Sequence, residues 1–325
     1  MEKRKKTLGH SDIEVSAMGI GCWAIGGDSY GHVDDAESIR AIHCALDLNI
    51  NLLDTANRYG HGHSEKVIGK ALAGRRDKAV IATKFGYSYI QDDGTESGGY
   101  TRKEDIAKEC EASLKRLNTD YIDLYQLHLG ALSGAAVDEV IEGLEALITK
   151  GKIRTFGWST DTPENARRFA ALPHCAAIQY QLNLFYDNAE ITKICEEYGV
   201  SGLIRGPLAM GALTGKYNSG ARVEQNDVRG GDVVWAPYFK DGKMVPDFVR
   251  RVEMAREILT RGGRTLAQGA LNWLYAKSPN AIPIPGFKTA AQVKENAGAL
   301  RFGPPNCDQM AELERLIPPM AWSQM

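Results

Sequence analysis

The chain has 325 residues, of which 43% are hydrophobic and 25% charged, and its formal net charge is -2. This balance is ordinary for a soluble globular enzyme and gives no sign of a nucleic-acid or membrane partner. Barrels of alternating strands and helices often reach about 250 residues or more as one unit, so residues 1–325 are expected to form a single domain. No apolar run follows the basic start MEKRKK, and the six cysteines lack a C-x-x-C pair. We therefore expect a cytoplasmic protein with reduced thiols.

The first residues, RKKTLGHSDIEVSA, predict a hairpin that turns between Gly9 and Asp12. After it, short apolar runs alternate with longer amphipathic stretches, which is the rhythm of strand and helix. Eight units can be counted: AMGIGCW with a helix at 35–48; NLLDT with a helix from Ser64; AVIATK (79–84) with a helix from Thr101; YIDLYQL (121–127) with 136–150; KIRTFGWS with a helix after Thr162-Pro163; AAIQYQ with a helix at about 188–198; VSGLIRG; and AIPIPG with a helix from Thr289. The Gly-rich stretch 206–245 after the seventh strand predicts a loop over the site, and 306–317 predict a terminal helix.

Several predicted helices begin with capping signals. Thr101 is followed three residues later by Glu104, and Thr289 by Gln292, both at capping-box spacing, while Pro163 suits a first helical position. Near-continuous apolar strands between helices indicate parallel strands buried on both faces, and eight units favour a closed barrel. The predicted fold is a (β/α)8 barrel with an N-terminal β-hairpin and a long loop after strand 7. The alternative is an open, doubly wound sheet.

The stretch GIGCWA (19–24) matches the G-x-G-x-x-G/A dinucleotide fingerprint after an apolar run. That fingerprint needs a helix to open immediately, so that its N–H groups face the pyrophosphate. Here AIGGDSYGH follows, whose glycines oppose a helix. We therefore reject a Rossmann fold for this segment.

The stretch DTANRYGHGHSE (54–65) is dense in potential metal ligands, namely Asp54, His61, His63 and Glu65. Two histidines two positions apart point to one face only on a strand, whereas this pair lies between glycines in a loop. No further cluster at ligand spacing completes a site. A metal centre, as in a metal-dependent barrel hydrolase, is therefore the least favoured interpretation.

Position along the barrel gives a better interpretation, because catalytic groups of such barrels come from the C-terminal ends of several strands and the loops after them. Asp54, Lys84 and His128 end the second, third and fourth strands, and Tyr59 lies in the loop after the second. A Lys84–Asp54 pair would satisfy two charges that are costly to bury alone. A cation beside Tyr59 favours the ionised phenol and is expected to ease proton donation near neutral pH. These four groups are suited to protonating a substrate oxygen while a cofactor delivers hydride to the neighbouring carbon.

These residues resemble the aldo-keto reductase superfamily. The resemblance covers nearly the whole chain, through TLGHSDIEVSAMGIGCW, DTANRYGHGHSEKVIGKAL, IATKFG, DYIDLYQLHLG, GKIRTFGWS, GPLAMGALTGKY and IPIPGFKTAAQVKEN. It implies a catalytic tetrad of Asp54, Tyr59, Lys84 and His128, with Tyr59 as general acid in reduction and general base in oxidation. The implied reaction is reversible, NAD(P)H-dependent reduction of an aldehyde or ketone, which includes sugars and related carbonyl compounds. The alternative is an NADPH-binding regulatory or redox-sensing barrel with little turnover.

The resemblance also implies where cofactor and substrate bind. Cofactor contacts fall on Cys22, Trp23, Asp54, Ser159, Gln179, Arg205, Gly206, Pro207, Leu208, Gly211, Leu213, Gly215, Lys216, Gly286, Phe287, Lys288, Thr289, Gln292, Glu295 and Asn296. Substrate contacts fall on Trp23, Tyr30, Tyr87, Leu129 and Trp235. Lys288 before a capped helix start suits a 2′-phosphate, so NADPH is the expected cofactor and NADH the alternative.

Three positions depart from the family's pattern. Thr160 stands where many members have Asn after the fifth strand, and Gln292 stands where some have Arg. Arg205 replaces an aromatic residue two positions before Pro207. Because a guanidinium also stacks on a flat ring, Arg205 is kept as a candidate nicotinamide partner.

Overall fold

A computed structural model describes residues 5–87, 89–90, 96–97, 101–217, 220–224, 226–231 and 237–321. Its centre is an eight-stranded parallel sheet whose strands follow one another in chain order around a nearly closed barrel. The barrel strands are β1 (Ile20–Gly21), β2 (Leu52–Asp54), β3 (Val80–Phe85), β4 (Ile122–Leu127), β5 (Ile153–Ser159), β6 (Cys175–Gln181), β7 (Ser201–Arg205) and β8 (Ala281–Pro283). The predicted (β/α)8 barrel is thereby confirmed, and the open doubly wound sheet is wrong.

The register of the strands fixes which side chains meet at the C-terminal end of the barrel. Asp54 of β2 pairs with Ala82 of β3, and Lys84 of β3 pairs with Gln126 of β4. The first and last strands are joined by backbone bonds, with Gly21 N donating to the Pro285 carbonyl at 3.0 Å. Closure therefore brings the loops after all strands to one rim.

Helices surround the barrel and bury their apolar faces against it. They are α1 (Asp35–Asp47), α2 (His63–Ala71), α3 (Lys103–Leu117), α4 (Ala135–Thr149), α5 (Pro163–Ala170), α6 (Ala189–Glu197), α7 (Pro246–Thr260), α8 (Leu266–Lys277), α9 (Ala290–Gly298) and α10 (Cys307–Leu316). Both α7 and α8 follow the long loop after β7, and the sequence analysis gave no bounds for either. Among the described residues, no helix has the length and apolar character to cross a membrane.

Two of the predicted helix starts are displaced. The α3 helix begins at Lys103, with no side-chain cap, so Glu104 falls one position short of capping-box spacing and the predicted Thr101 cap is wrong. The α2 helix begins at His63, and the Ser64 hydroxyl is instead buried, donating to the Cys22 carbonyl at 2.8 Å. The predicted capping box at the start of α9 is confirmed.

The predicted N-terminal hairpin closes the bottom of the barrel. Its strands, Lys5–Thr7 and Glu14–Ser16, pair antiparallel. Leu8, Ile13 and Val15 are at most 2% exposed and pack among the side chains that fill the barrel interior. Because this end is filled, the open C-terminal rim is where a ligand can enter.

Candidate active site

A buried lysine holds three of the predicted catalytic groups together. Lys84, on β3, is fully buried, and its Nζ donates to Asp54 Oδ2 at 2.8 Å and to the Thr55 carbonyl at 2.7 Å. The same nitrogen lies 3.3 Å from the hydroxyl of Tyr59. All three ammonium protons therefore have acceptors, and one of those acceptors is the phenol that faces the rim.

The second oxygen of Asp54 is held by two amides. Gln179 Nε2 donates to Asp54 Oδ1 at 2.7 Å, and Gln126 Nε2 donates to it at 3.3 Å. These glutamines belong to β6 and β4, so strands on both sides of the barrel fix one carboxylate. A carboxylate with both oxygens satisfied is a stable partner for a buried ammonium.

His128 follows β4 and completes the group. Its ring meets the Tyr59 ring edge-on, with 6.1 Å between the ring centres. The Nδ1 atom is buried and makes no hydrogen bond within the described residues. Burial, together with the positive charges of Lys84, Arg58 and Arg205, holds the pKa of His128 well below its usual range. The imidazole is therefore neutral at physiological pH.

Burial decides the protonation state of the phenol. It raises the pKa of Tyr59 above the ordinary value, and the opposing effect of Lys84 is smaller. The cation does favour the ionised phenol, as expected, but burial outweighs it, so the expected easing of ionisation near neutral pH is not found. Burial alone would lower the pKa of Lys84, but Asp54 and Tyr59 together raise it, so the lysine stays charged. At neutral pH the site contains a protonated phenol beside an ammonium.

The loop that carries Tyr59 is fixed by close backbone contact. Gly60 has a φ of +58°, and a Cβ there would lie 1.9 Å from the Gly26 carbonyl oxygen, so only glycine fits. Its N–H donates to Asp28 Oδ2 at 3.1 Å. On the other side, Asn57 Nδ2 donates to the buried carboxylate of Glu109 at 2.8 Å. The sequence analysis found none of these supports, because they join segments far apart in the chain.

The suggested metal ligands do not converge. They were Asp54, His61, His63 and Glu65. The imidazole of His63 lies 2.7 Å from Asp35 Oδ1, and the buried carboxylate of Glu65 accepts from Arg116 Nε at 2.6 Å. Within the part of the chain that the structure describes, no group of three or more His, Cys, Asp or Glu side chains is placed to hold a metal ion.

Two of the predicted cofactor residues, Ser159 and Gln179, are neighbours on the rim. Ser159 of β5 and Gln179 of β6 are register partners at the C-terminal ends of their strands. Thr160, which stands where the resemblance expects Asn, donates its hydroxyl to a backbone carbonyl of the loop after β4 at 2.5 Å. The threonine side chain is thus engaged in holding that loop.

Arg205 is the last residue of β7, and the N–H groups at the edge of its guanidinium are hydrogen-bonded. One nitrogen donates to Asp161, and another donates to Gln181 Oε1 at 2.9 Å. Asp161 also accepts from the backbone N–H of Gln181 at 2.9 Å. Asp161 was not predicted, although an acidic residue two positions after the fifth strand carries a positional signal similar to the one that identified Asp54.

The loop after β7 turns through a series of left-handed residues. Gly206, Gly211 and Gly215 have φ values of +60°, +95° and +79°, and the intervening Ala209 and Met210 are left-handed too. Concave turns of this kind are suited to anions, and the N–H groups of Ala209, Gly211 and Leu213 already donate to carbonyls within the loop. The other predicted cofactor residues of this loop are Pro207, Leu208 and Leu213, which are buried, and Lys216, which is exposed.

The far part of the same loop is attached to the loop after β1. Val228 N donates to the Ser29 carbonyl at 2.7 Å. Arg229 forms a buried pair with Asp227 and lies 5.2 Å from the centre of the Tyr30 ring. Neither Asp227 nor Arg229 was predicted, because their contact with Tyr30 joins segments far apart in the chain. Together they hold the loop after β7 against the rim.

The start of α9, which was predicted to bind an anion, has the expected capping box and one further contact. Gln292 Oε1 accepts from Lys288 N at 2.6 Å, and the Thr289 hydroxyl accepts from Gln292 N. The Lys288 ammonium donates to a carbonyl of the loop after β1 at 2.6 Å. The carboxylate of Glu37, on α1, accepts from Ala290 N at 3.0 Å. One backbone N–H at the start of α9 is therefore already hydrogen-bonded to a negatively charged side chain.

The remaining predicted cofactor residues lie near these two segments. Asn296 Nδ2 donates to the Gly286 carbonyl at 3.4 Å, and Phe287 is buried. Glu295 lies on the exposed face of α9, whereas Cys22 is buried beside the end of β2, and burial raises the pKa of its thiol.

Aromatic side chains border the candidate catalytic group. Trp23 stacks on the tyrosine of the site with 6.0 Å between ring centres, and Tyr30 meets Trp23 edge-on at 5.0 Å. Tyr87 is 40% exposed, and its ring centre lies 5.4 Å from that of the imidazole. Leu129 follows the histidine and is partly buried. Trp235 lies outside the described residues.

Solved structures similar to this chain define its class. An aldo-keto reductase from Bacillus halodurans is 30% identical, with 99% of each chain covered and a TM-score of 0.80. The glycerol dehydrogenase from Gluconobacter oxydans is 31% identical, with 97% of this chain and 95% of the other covered and a TM-score of 0.83. An aldo-keto reductase from Klebsiella pneumoniae in complex with NADPH is 25% identical over 98% and 97%, with a TM-score of 0.74. Together with the site, these similarities define a barrel oxidoreductase that acts on carbonyl compounds.

The family follows from the sequence comparisons. The model of the Aldo/keto reductase family matches residues 17–318. The aldo-keto reductase YhdN of Bacillus subtilis (strain 168) is 32% identical over 292 residues, 89% of this chain and 86% of that protein. The chloroplastic pyridoxal reductase of Arabidopsis thaliana is 31% identical, with 92% of this chain and 82% of that protein covered. The chain belongs to the aldo/keto reductase family.

Proposed function

We propose that the protein reversibly reduces an aldehyde or ketone to an alcohol with NADPH, and that Tyr59 is its general acid and base. The observation that carries the proposal is the buried Lys84 ammonium, bound to Asp54 and 3.3 Å from the Tyr59 hydroxyl. A charge is costly to bury, and here it is placed against a phenol at the open rim. This arrangement serves proton transfer at the rim.

The rim also suits the cofactor. Ser159 and Gln179 offer neighbouring polar side chains for a carboxamide, and the left-handed loop after β7 offers backbone N–H groups for a pyrophosphate. Lys288 and the capped start of α9 suit a 2′-phosphate. Stacking of Arg205 on a nicotinamide would use the flat face of the guanidinium, whereas Asp161 engages its edge. When bound, NADPH supplies the hydride.

The protein's own residues manage the proton. In reduction, Tyr59 Oη gives its proton to the carbonyl oxygen as that oxygen becomes an alcohol. The phenolate left behind is stabilised by the Lys84 ammonium, whose charge Asp54 maintains. In oxidation, the same phenolate takes the proton of the alcohol. The raised pKa of Tyr59 keeps the phenol protonated before reduction begins.

His128 positions the carbonyl group. Its neutral ring adds no charge beside the reacting oxygen, and its buried Nδ1 has no partner within the described residues. A buried polar atom without a partner is costly, so a ligand that hydrogen-bonds to this ring recovers energy on binding. We infer that the imidazole orients the carbonyl toward Tyr59.

The test is turnover of a broad panel of aldehydes and ketones with NADPH, followed at the cofactor absorbance. Tyr59→Phe removes the hydroxyl but leaves Lys84 its bonds to Asp54 and Thr55, so the fold and NADPH binding should persist. We expect kcat to fall about 10²- to 10⁴-fold, the usual contribution of a general acid. His61→Ala, in the same loop, is the matched control and should retain the rate.

Each outcome distinguishes the candidates. A Tyr59→Phe variant that keeps the reductase rate would show that another group donates the proton. Binding of NADPH without turnover of any carbonyl compound would favour the regulatory or redox-sensing alternative. Loss of activity with a chelator and its recovery with zinc would revive the metal hypothesis.

We further propose that residues 1–325 act as one barrel domain in the cytoplasm, on a small carbonyl or alcohol substrate. Support for the location comes from the thiols, since all six cysteines are unpaired. Unpaired and mostly buried cysteines are typical of a reducing compartment. Fluorescence microscopy of a tagged chain and limited proteolysis test the two points.

A further inference from the structure

Arg58 borders the entrance to the proposed active site. It immediately precedes Tyr59 and is exposed. Its guanidinium carbon lies 4.0 Å from the centre of the Tyr87 ring, and that ring lies 5.4 Å from the imidazole of His128. The distance between the guanidinium carbon of Arg58 and the centre of the His128 ring is therefore at most the sum of these two distances. A substrate whose carbonyl reaches His128 passes close to this charge.

Three cations act on His128, and among the described residues two of them have a carboxylate partner whereas Arg58 has none. Lys84 is paired with Asp54, and Arg205 with Asp161. Among the described residues, no carboxylate lies within ion-pair distance of Arg58. The nearby carboxylate of Asp28 instead accepts from Gly60 N and from the Ser29 hydroxyl. Within the described residues, Arg58 thus brings a positive charge without a carboxylate partner to the substrate entrance.

The contact with Tyr87 leaves the guanidinium able to bind a ligand. Stacking on a ring uses the flat face, whereas the N–H donors lie in the plane and form the fork that fits carboxylate and phosphate. The ring also fixes the position of a side chain that would otherwise be costly to order. The charge reaches the site, because Arg58 contributes to lowering the pKa of His128.

We propose that the preferred substrate is an anionic carbonyl compound, and that Arg58 binds its carboxylate or phosphate group while the carbonyl lies against Tyr59 and His128. This inference rests on the proposed reductase function and names the substrate class of the same site. A cation at the mouth of a cleft also attracts anionic substrates and accelerates their association, an effect that salt weakens.

The test compares matched pairs of substrates that differ in charge. The carboxylate pair is 4-carboxybenzaldehyde and 4-carbamoylbenzaldehyde, and the phosphate pair is glyceraldehyde 3-phosphate and glyceraldehyde. We expect the wild-type enzyme to prefer the anionic member of at least one pair, and the pair concerned identifies the anion. In Arg58→Gln the ratio of kcat/KM, anionic over neutral, should fall about tenfold or more, mainly through KM.

Two controls isolate the effect. Arg301→Gln changes an exposed arginine after α9 and should leave the ratio unchanged. Raising the salt from about 0.05 M to about 0.5 M should reduce the preference of the wild type but not alter the neutral substrates. Equal kcat/KM within both pairs, or a preference that survives in Arg58→Gln, would overturn the inference while leaving the reductase function intact. Absence of turnover of every carbonyl compound would overturn both.

Discussion

Replacing Asp54 with Asn tests whether the buried ion pair holds the site together. The carboxylate accepts on both oxygens, from Lys84 on one side and from Gln179 and Gln126 on the other. An asparagine amide has a single acceptor oxygen. If the asparagine oxygen faces Lys84, the amide N–H groups face the Nε2 donors of Gln179 and Gln126. If the oxygen faces the two glutamines, the amide N–H groups face the Lys84 ammonium. Either orientation loses hydrogen bonds and leaves a fully buried cation without a counter-charge.

The cost can be estimated from burial. The side chains of Lys84 and Asp54 are 0% and 4% exposed, and removing one partner of such a pair costs about 3–5 kcal/mol. With an unfolding entropy of about 2.1 cal/mol/K per residue, this corresponds to a decrease in Tm of about 4–7 °C for a chain of this length. The exposed pair Lys5–Glu14 is the matched control, and Glu14→Gln should cost about 0–1 kcal/mol.

The assay is thermal unfolding without cofactor, combined with the reductase rate. The double variant Asp54→Asn/Lys84→Met removes the stranded charge and should regain stability, but it should not regain activity because Tyr59 has lost its cation. Without Asp54, burial should lower the pKa of Lys84. As pH rises, Lys84 of Asp54→Asn should therefore lose its charge earlier, and the rate of this variant should begin to fall at a lower pH than the rate of the wild type. The reasoning is refuted if Asp54→Asn unfolds within about 1 °C of Glu14→Gln, a difference too small for a stranded buried charge.

Further predictions concern the cofactor, pH and the Tyr59 loop. Glu37→Gln removes the negative charge at the start of α9 and should strengthen NADPH binding severalfold with little change for NADH, as measured by fluorescence titration; equal changes for both cofactors would contradict it. In the folded protein His128 is neutral, because its pKa lies below the unfolded value of about 6.5. As pH falls below about 6.5, the unfolded state takes up a proton that the folded state does not, so the free energy of unfolding decreases by up to about 1.4 kcal/mol per pH unit. In His128→Asn, the pH dependence of the unfolding free energy between about pH 6.5 and 5 should be shallower by up to this amount; an unchanged slope would argue against a neutral His128. Gly60→Ala should lower kcat, because its Cβ meets the Gly26 carbonyl, whereas Gly74→Ala, also left-handed but with nothing within 4 Å, should cost stability alone. Equal kcat in the two variants would contradict that account.

The barrel and the candidate catalytic group were predictable from the sequence because of one geometric rule. In a parallel barrel all strands end at the same rim, so residues that end successive apolar runs become neighbours. Asp54 and Lys84 are 30 residues apart, yet β2 and β3 are adjacent, and the two side chains meet at 2.8 Å. The hydrophobic pattern gives the strand ends, and desolvation cost then selects which polar residues must pair.

The direction of the Tyr59 pKa was not predictable in the same way. The cation beside the phenol is predictable from the strand rule, but the burial of the phenol involves packing from other loops, such as the stacking of Trp23 from the loop after β1. Desolvation is the larger effect, and it raises the pKa where the cation alone lowers it. A pairwise argument from sequence captures the charge and misses the dielectric environment that the whole fold creates.

Arg205 makes more interactions than the sequence reveals. Its replacement of an aromatic residue predicted a stacking partner, whereas the structure adds edge-on bonds to Asp161 and Gln181. These two uses are compatible, since stacking and pairing engage different parts of a guanidinium. Pairing also fixes the plane of the group, so that less rotamer entropy is lost when a ring stacks on it. If Arg205 stacks on the nicotinamide as proposed, Asp161, in the loop after β5, supplies the contact that holds its guanidinium in one plane.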